Sequence, residues 1–174
     1  MDVNDLLKDP DKLKKVLRRA IWNNDKKLAE ILIPIVRDPR LTYLYAFEIV
    51  QDKIKDEWED IISKDAECAY RYAFYILKGP FPKGEDAISK VSDYSYYYAE
   101  EILKGPFPKG EDAISRNDKL SYMYAKFILE DRFKKGEGTI IKDKYYLEDY
   151  IEFLKQIGKL DEFLKDHPEV KLED

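Results

Sequence analysis

Ile76–Ser89 reads ILKGPFPKGEDAIS, and the same fourteen letters return at Ile102–Ser115, 26 residues further on. A fixed period of 20–50 residues marks a repeat architecture, in which each unit stacks on the next. The duplicated block is the visible part of a longer series. Aligning Tyr-x-Tyr-Ala gives four copies, Tyr43–Ala46, Tyr70–Ala73, Tyr96–Ala99 and Tyr122–Ala125. Two further landmarks run in phase: Ile62, Ile88, Ile114 and Ile140, and the bulky residues Ile54, Phe81, Phe107 and Phe133.

Each unit reads as a long helix, a tight turn and a short helix. In the third, Ser92 or Asp93 is placed to cap the helix by accepting a backbone N–H bond. Tyr96, Ala99, Ile102 and Leu103 follow at helical spacing as an apolar stripe. Gly105 is expected to close the helix in a left-handed conformation, which glycine adopts without a Cβ penalty. Phe107, between Pro106 and Pro108, is the expected core plug. Pro108 opens the short helix, with Glu111 and Asp112 near its positive end. Thr42, Ala69, Ser95 and Ser121, four residues before each alanine, are small and lie on one ridge, where they let a neighbouring helix approach.

An apolar stripe that one unit cannot bury alone predicts an all-α fold, with short helix–turn–helix repeats stacked as an α-solenoid. A single domain over 1–174 is expected: N-terminal cap helices in 1–37, four repeats in 38–142, and a C-terminal cap helix and tail in 143–174. The caps are read as helices near Asp11–Trp22 and Asp25–Val36, with a kink at Pro34, and at YYLEDYIEFLKQIG, ended by Gly158. KLDEFLKDH adds a short last helix.

The chain has 174 residues, a net charge of −5 and one cysteine, Cys68, which excludes an intramolecular disulfide. No signal-peptide pattern and no long apolar run are present, so a soluble, cytoplasmic protein is expected. The charge is uneven. Residues 1–37 hold nine Lys+Arg against six Asp+Glu, and KLKKVLRRA is the one basic block.

The pattern Tyr-x-Tyr-Ala…Ile-Leu-Lys-Gly-x-Phe-Pro-x-Gly-Glu…Ile, across about Asp38 to Lys142, resembles short helical repeats of bacteriophage and large-virus proteins of unknown function. The first unit departs from it with Asp52-Lys53-Ile54, and the fourth with Asp131-Arg132-Phe133. The resemblance implies an all-helical fold and a viral source, hence the host cytoplasm. It implies no active site.

The residues themselves carry no reaction. His167 is a lone terminal histidine and reads as a surface residue. Cys68 has no histidine nearby in sequence and reads as a packed thiol. KGPFPKGED lacks the spacing of a phosphate loop. No enzyme activity, cofactor or metal site is expected. Two lysine series run in register, Lys64, Lys90, Arg116 and Lys142, and Lys83, Lys109 and Lys135. Glu85, Glu111 and Glu137 accompany the second as an acidic ladder, read as a solvated edge.

Binding is the better reading. On a helical wheel with each alanine at the centre of the packed face, three positions point outward. Two before it stand Leu44, Arg71, Tyr97 and Met123; two after, Glu48, Tyr75, Glu101 and Phe127; five before, Leu41, Cys68, Tyr94 and Leu120. Exposed aromatic patches mark interaction sites. Leu44, Arg71, Tyr75, Tyr94, Tyr97, Met123 and Phe127 are therefore the candidate partner-binding residues. The expected function is a non-catalytic one, occupying a partner protein and, in a phage setting, inhibiting a host defence system. The second class is nucleic-acid backbone binding through Lys12, Lys14, Lys15, Arg18 and Arg19 with the lysine ladder. A third is self-assembly into a homo-oligomer. No membrane partner is expected.

Overall fold

In the computed structural model, residues 9–172 are described. Every regular element among them is a helix, which fixes the all-α class. No described helix is long and apolar enough to cross a membrane. The chain forms two compact units, Met1–Ile88 and Ser89–Asp174.

In the first unit, α1 (Pro10–Trp22) and α2 (Lys26–Val36) pack as a pair. Pro34 lies inside α2. Then come α3 (Pro39–Tyr45), α4 (Asp56–Ile62), α5 (Ala66–Arg71) and α6 (Glu85–Ile88). The second unit holds α7 (Ser92–Tyr97), α8 (Glu111–Ile114), α9 (Asp118–Met123), α10 (Lys134–Ile140), α11 (Lys144–Gln156) and α12 (Leu160–Asp166). Gly158 follows α11 at φ 71°, as a helix-ending glycine should.

The long helix of each repeat is not α-helical throughout. After α3, α5, α7 and α9 the chain continues into a π-helical turn, at Ala46–Val50, Tyr72–Leu77, Tyr98–Leu103 and Tyr124–Leu129. In the third repeat the Ala99 carbonyl accepts from the N–H groups of both Lys104 and Gly105. The closing left-handed residue is Lys104, at φ 54°, and not Gly105 as expected. Gln51, Lys78 and Glu130 take the same conformation, at φ 55°, 52° and 51°.

The cap also moves. Asp38, Asp65, Asn117 and Asp143 each accept a backbone N–H at the start of α3, α5, α9 and α11. The equivalent residue of α7 is Val91, which gives no side-chain cap; Ser92 is already in the helix. Asp143 keeps this register, so α11 is a fifth copy of the repeat's first helix.

The small residues have a different neighbour from the one expected. Ala69, Ser95 and Ser121 face Gly84, Gly110 and Gly136 of the same repeat's second segment. A Cβ on Gly110 would lie 2.7 Å from Ser95 Cβ and 2.5 Å from the Phe107 ring. These glycines permit the close approach of the two helices of one repeat. Phe107 is buried, as are Ile54, Phe81 and Phe133.

Candidate interaction surface

What lies inside the repeat determines what is left outside. The tyrosine immediately before each alanine is fully buried at Tyr45, Tyr72, Tyr98 and Tyr124, and Tyr150 continues the series. The rings of Tyr72, Tyr98 and Tyr124 pack on the plugs of their own repeats, Phe81, Phe107 and Phe133, with centroids 5.1, 5.0 and 5.0 Å apart. Three hydroxyls are described reaching back to the preceding repeat. Tyr72 accepts from the Ile54 N–H at 3.1 Å and donates to Glu59 at 3.0 Å. Tyr124 accepts from the Phe107 N–H at 2.8 Å and contacts Glu111 at 3.4 Å. Tyr150 accepts from the Phe133 N–H at 3.3 Å and donates to Glu137 at 2.9 Å. A buried N–H left unmade is costly, so each hydroxyl satisfies a plug and ties two repeats together. Burial pushes these phenols up, Tyr124 to about 12, because the neutral form is the one the core accepts.

The acidic series is therefore not a solvated edge. Glu137 is buried, Glu85 and Glu111 are half-buried, and Glu59, at the same position of the first repeat, is buried. The lysine series beside it is engaged as well. Lys83 bridges Asp56 and Asp60 at 2.7 and 2.8 Å, and Lys135 bridges Glu111 and Asp112 at 3.6 and 2.8 Å. Lys109 also has a partner. The other series, Lys64, Lys90, Arg116 and Lys142, is exposed.

At the C-terminal end the Glu137 site gathers more groups. Arg132, whose side chain is 3% exposed, holds Glu137 through Nε at 2.7 Å and Nη2 at 2.8 Å, and Asp166 at 2.8 Å. His167 Nε2 lies 3.0 Å from Glu137 and its ring packs against Phe163, so it is partly buried rather than a surface residue. Burial alone would raise the Glu137 carboxyl, but the donors Arg132, Tyr150 and His167 outweigh it and hold it below its ordinary value. Cys68 is buried, and burial pushes its thiol up.

The candidate partner-binding residues divide by position. Arg71, Tyr75, Tyr97 and Phe127 are exposed, Tyr75 by 50% and Phe127 by 55%, while Leu44, Tyr94 and Met123 are half-buried. The position five before the alanine turns inward instead: Leu41, Cys68 and Leu120 are buried. Cys68 shares a shallow recess with Arg40 and Tyr43 of the preceding repeat. Arg71 is ion-paired with Glu67 at 3.0 Å.

The structure adds residues that the wheel passed over. In the first unit Phe47 and Phe74 are exposed, both directly after the alanine. Phe74 meets Tyr75 at 4.8 Å, Tyr75 meets Phe47 at 5.8 Å, and Tyr43 and Tyr70 stack behind them. Reading the residue after each alanine would have found both. The same position in the other repeats is Glu100 and Lys126.

On α1, Lys12 pairs with Asp9 at 3.1 Å and Lys14 with Asp38 at 3.0 Å. Lys15, Arg18 and Arg19 are exposed, and Trp22 beside them is 88% exposed. Among the described residues no three His, Cys, Asp or Glu side chains converge as a metal site.

No protein-family model matches the chain, and no curated protein or solved structure is significantly similar to it.

Proposed function

We propose that this chain is a non-catalytic protein-binding repeat protein, built as one α-solenoid domain, that acts by occupying a partner protein through its outward aromatic residues. The observation that carries the reading is the cluster of Phe47, Phe74 and Tyr75, whose rings touch one another while each remains exposed. Exposed aromatic clusters mark interaction sites, and aromatic rings dominate the buried centres of interfaces. Tyr97 and Phe127 present the same chemistry from the second unit. The Tyr–Glu contacts between successive repeats support stacking as a solenoid. The sequence resemblance supports a phage or large-virus source, and with it steric inhibition of a host defence factor in the host cytoplasm.

The test is quantitative capture of host proteins by the tagged chain and by a Phe74→Ala/Tyr75→Ala variant. A stoichiometric partner should resist nuclease and high salt, and should be reduced at least tenfold by the variant at unchanged helicity. Equal capture by both proteins would remove this face from the account.

A further inference from the structure

The surface of α1 carries a second, separate arrangement. Lys15, Arg18, Arg19 and Trp22 are spaced by three and four residues, so they share one ridge of the helix. Together they line one shallow depression. Lys12 and Lys14 are tied to carboxylates, but Lys15, Arg18 and Arg19 make no ion pair with any described residue. Trp22, with 88% of its surface in water, is the most exposed large apolar side chain described. Its other face opens on a recess of about 320 Å³ lined by Arg18, Ile21, Trp22, Leu44 and Glu48.

We propose that this patch binds a short single-stranded nucleic-acid segment, with a base stacked on Trp22 and adjacent phosphates held by Lys15, Arg18 and Arg19. The ligand must combine negative charge with a flat π surface, and must offer both within one helix face of about 10 Å. A single strand does so, alternating phosphates with unpaired bases. A duplex hides its bases in the stack. An acidic peptide supplies the charge but nothing for the indole. Glu48 on the recess wall repels a phosphate and accepts hydrogen bonds only, so the recess receives the base, favouring one with an exocyclic amine. The site does not depend on the aromatic protein-binding face. It also differs from a general basic groove: Lys12, Lys14 and the Lys83–Lys135 series take no part.

The experiment titrates the full chain into fluorescein-labelled dC12 at several salt concentrations, reading anisotropy together with Trp22 emission; the other tryptophan, Trp58, is buried. Binding should quench the emission. It should weaken with salt at a slope of about −2 in log K against log salt, the value for three phosphate contacts on a single strand. Trp22→Ala should lose at least fivefold in affinity and Arg18→Ala/Arg19→Ala more, both with wild-type circular dichroism. Three results would overturn the proposal: no binding at low salt, affinity unaffected by Trp22→Ala, or equal binding of a labelled poly-glutamate peptide, which would assign the patch to an acidic protein.

Discussion

Glu59 and Glu137 occupy the same position of the repeat, one in each unit, and their surroundings differ in an informative way. Both receive the hydroxyl of a buried tyrosine, Tyr72 or Tyr150, and both sit beside a plug whose N–H that hydroxyl satisfies. Both also have a cation, Lys53 or Arg132, at the position where the two middle repeats carry Pro80 and Pro106. Lys53, however, is largely exposed and reaches Glu59 at 3.8 Å, whereas the Arg132 side chain is 3% exposed and grips Glu137 with two bonds. The difference comes from α12, which lays Phe163, Asp166 and His167 over the second site. The tyrosine and the glutamate are the constant part of the device. The cation is worth only what its burial makes it worth.

That comparison is broken most directly by removing each cation. Arg132→Ala takes the bidentate cation from a buried carboxylate and should cost about 3–5 kcal/mol. Lys53→Ala removes an exposed cation 3.8 Å from a carboxylate that keeps its bond from Tyr72, and should cost under about 1 kcal/mol. Urea denaturation of the two variants checks both values, and equal losses would mean that burial does not set the difference.

The glycines sharpen it at the next scale. Gly110→Ala drives a methyl into Ser95 and Phe107 and should cost about 1–3 kcal/mol. Gly105→Ala meets nothing within 4 Å and should stay within about 0.5 kcal/mol of wild type. The identical fourteen-residue blocks contain both kinds of glycine, and thermal unfolding separates them.

Lys104→Gly should have the opposite sign. It relieves a left-handed conformation that a non-glycine side chain resists, and a gain of up to about 1 kcal/mol is expected. An unchanged midpoint in denaturant would mean that the π-helical turn places no strain on that residue.

Much of the fold was legible because the repeat period is a property of the chain alone. Phase identified the helices, the plugs and the cap pair at Pro10–Trp22 and Lys26–Val36. The cap of the third repeat was misplaced: Ser92 or Asp93 was expected, whereas the N-cap position is Val91, in register with Asp38, Asp65, Asn117 and Asp143. The π-helical turns were not legible, since a wheel at 100° per residue assumes one hydrogen-bond pattern throughout. That assumption put the left-handed residue one position late. The buried glutamates were missed because helix-start electrostatics explains an acidic first turn equally well. The signal that distinguishes them is the constant thirteen-residue step from Glu59 to Tyr72, Glu111 to Tyr124 and Glu137 to Tyr150, half of the repeat. On the outer face, Tyr75, Tyr97 and Phe127 could be placed from the wheel, while Cys68 and Leu120 are buried because packing between elements, which a single-helix wheel omits, covers them.

The central claim is that Tyr72, Tyr124 and Tyr150 are buried links between successive repeats. Spectrophotometric titration of the fourteen tyrosines, followed alongside circular dichroism, tests it most directly. Burial raises Tyr45, Tyr72, Tyr96, Tyr124 and Tyr150 above the ordinary value of 10.0 in the folded chain. A raised folded value contributes stability that is complete below the unfolded value and is lost as pH climbs past it. These five tyrosines should therefore ionise only above pH 10, together with the loss of helix. Ionisation of all fourteen in one step near pH 10, with helicity unchanged, would contradict the claim.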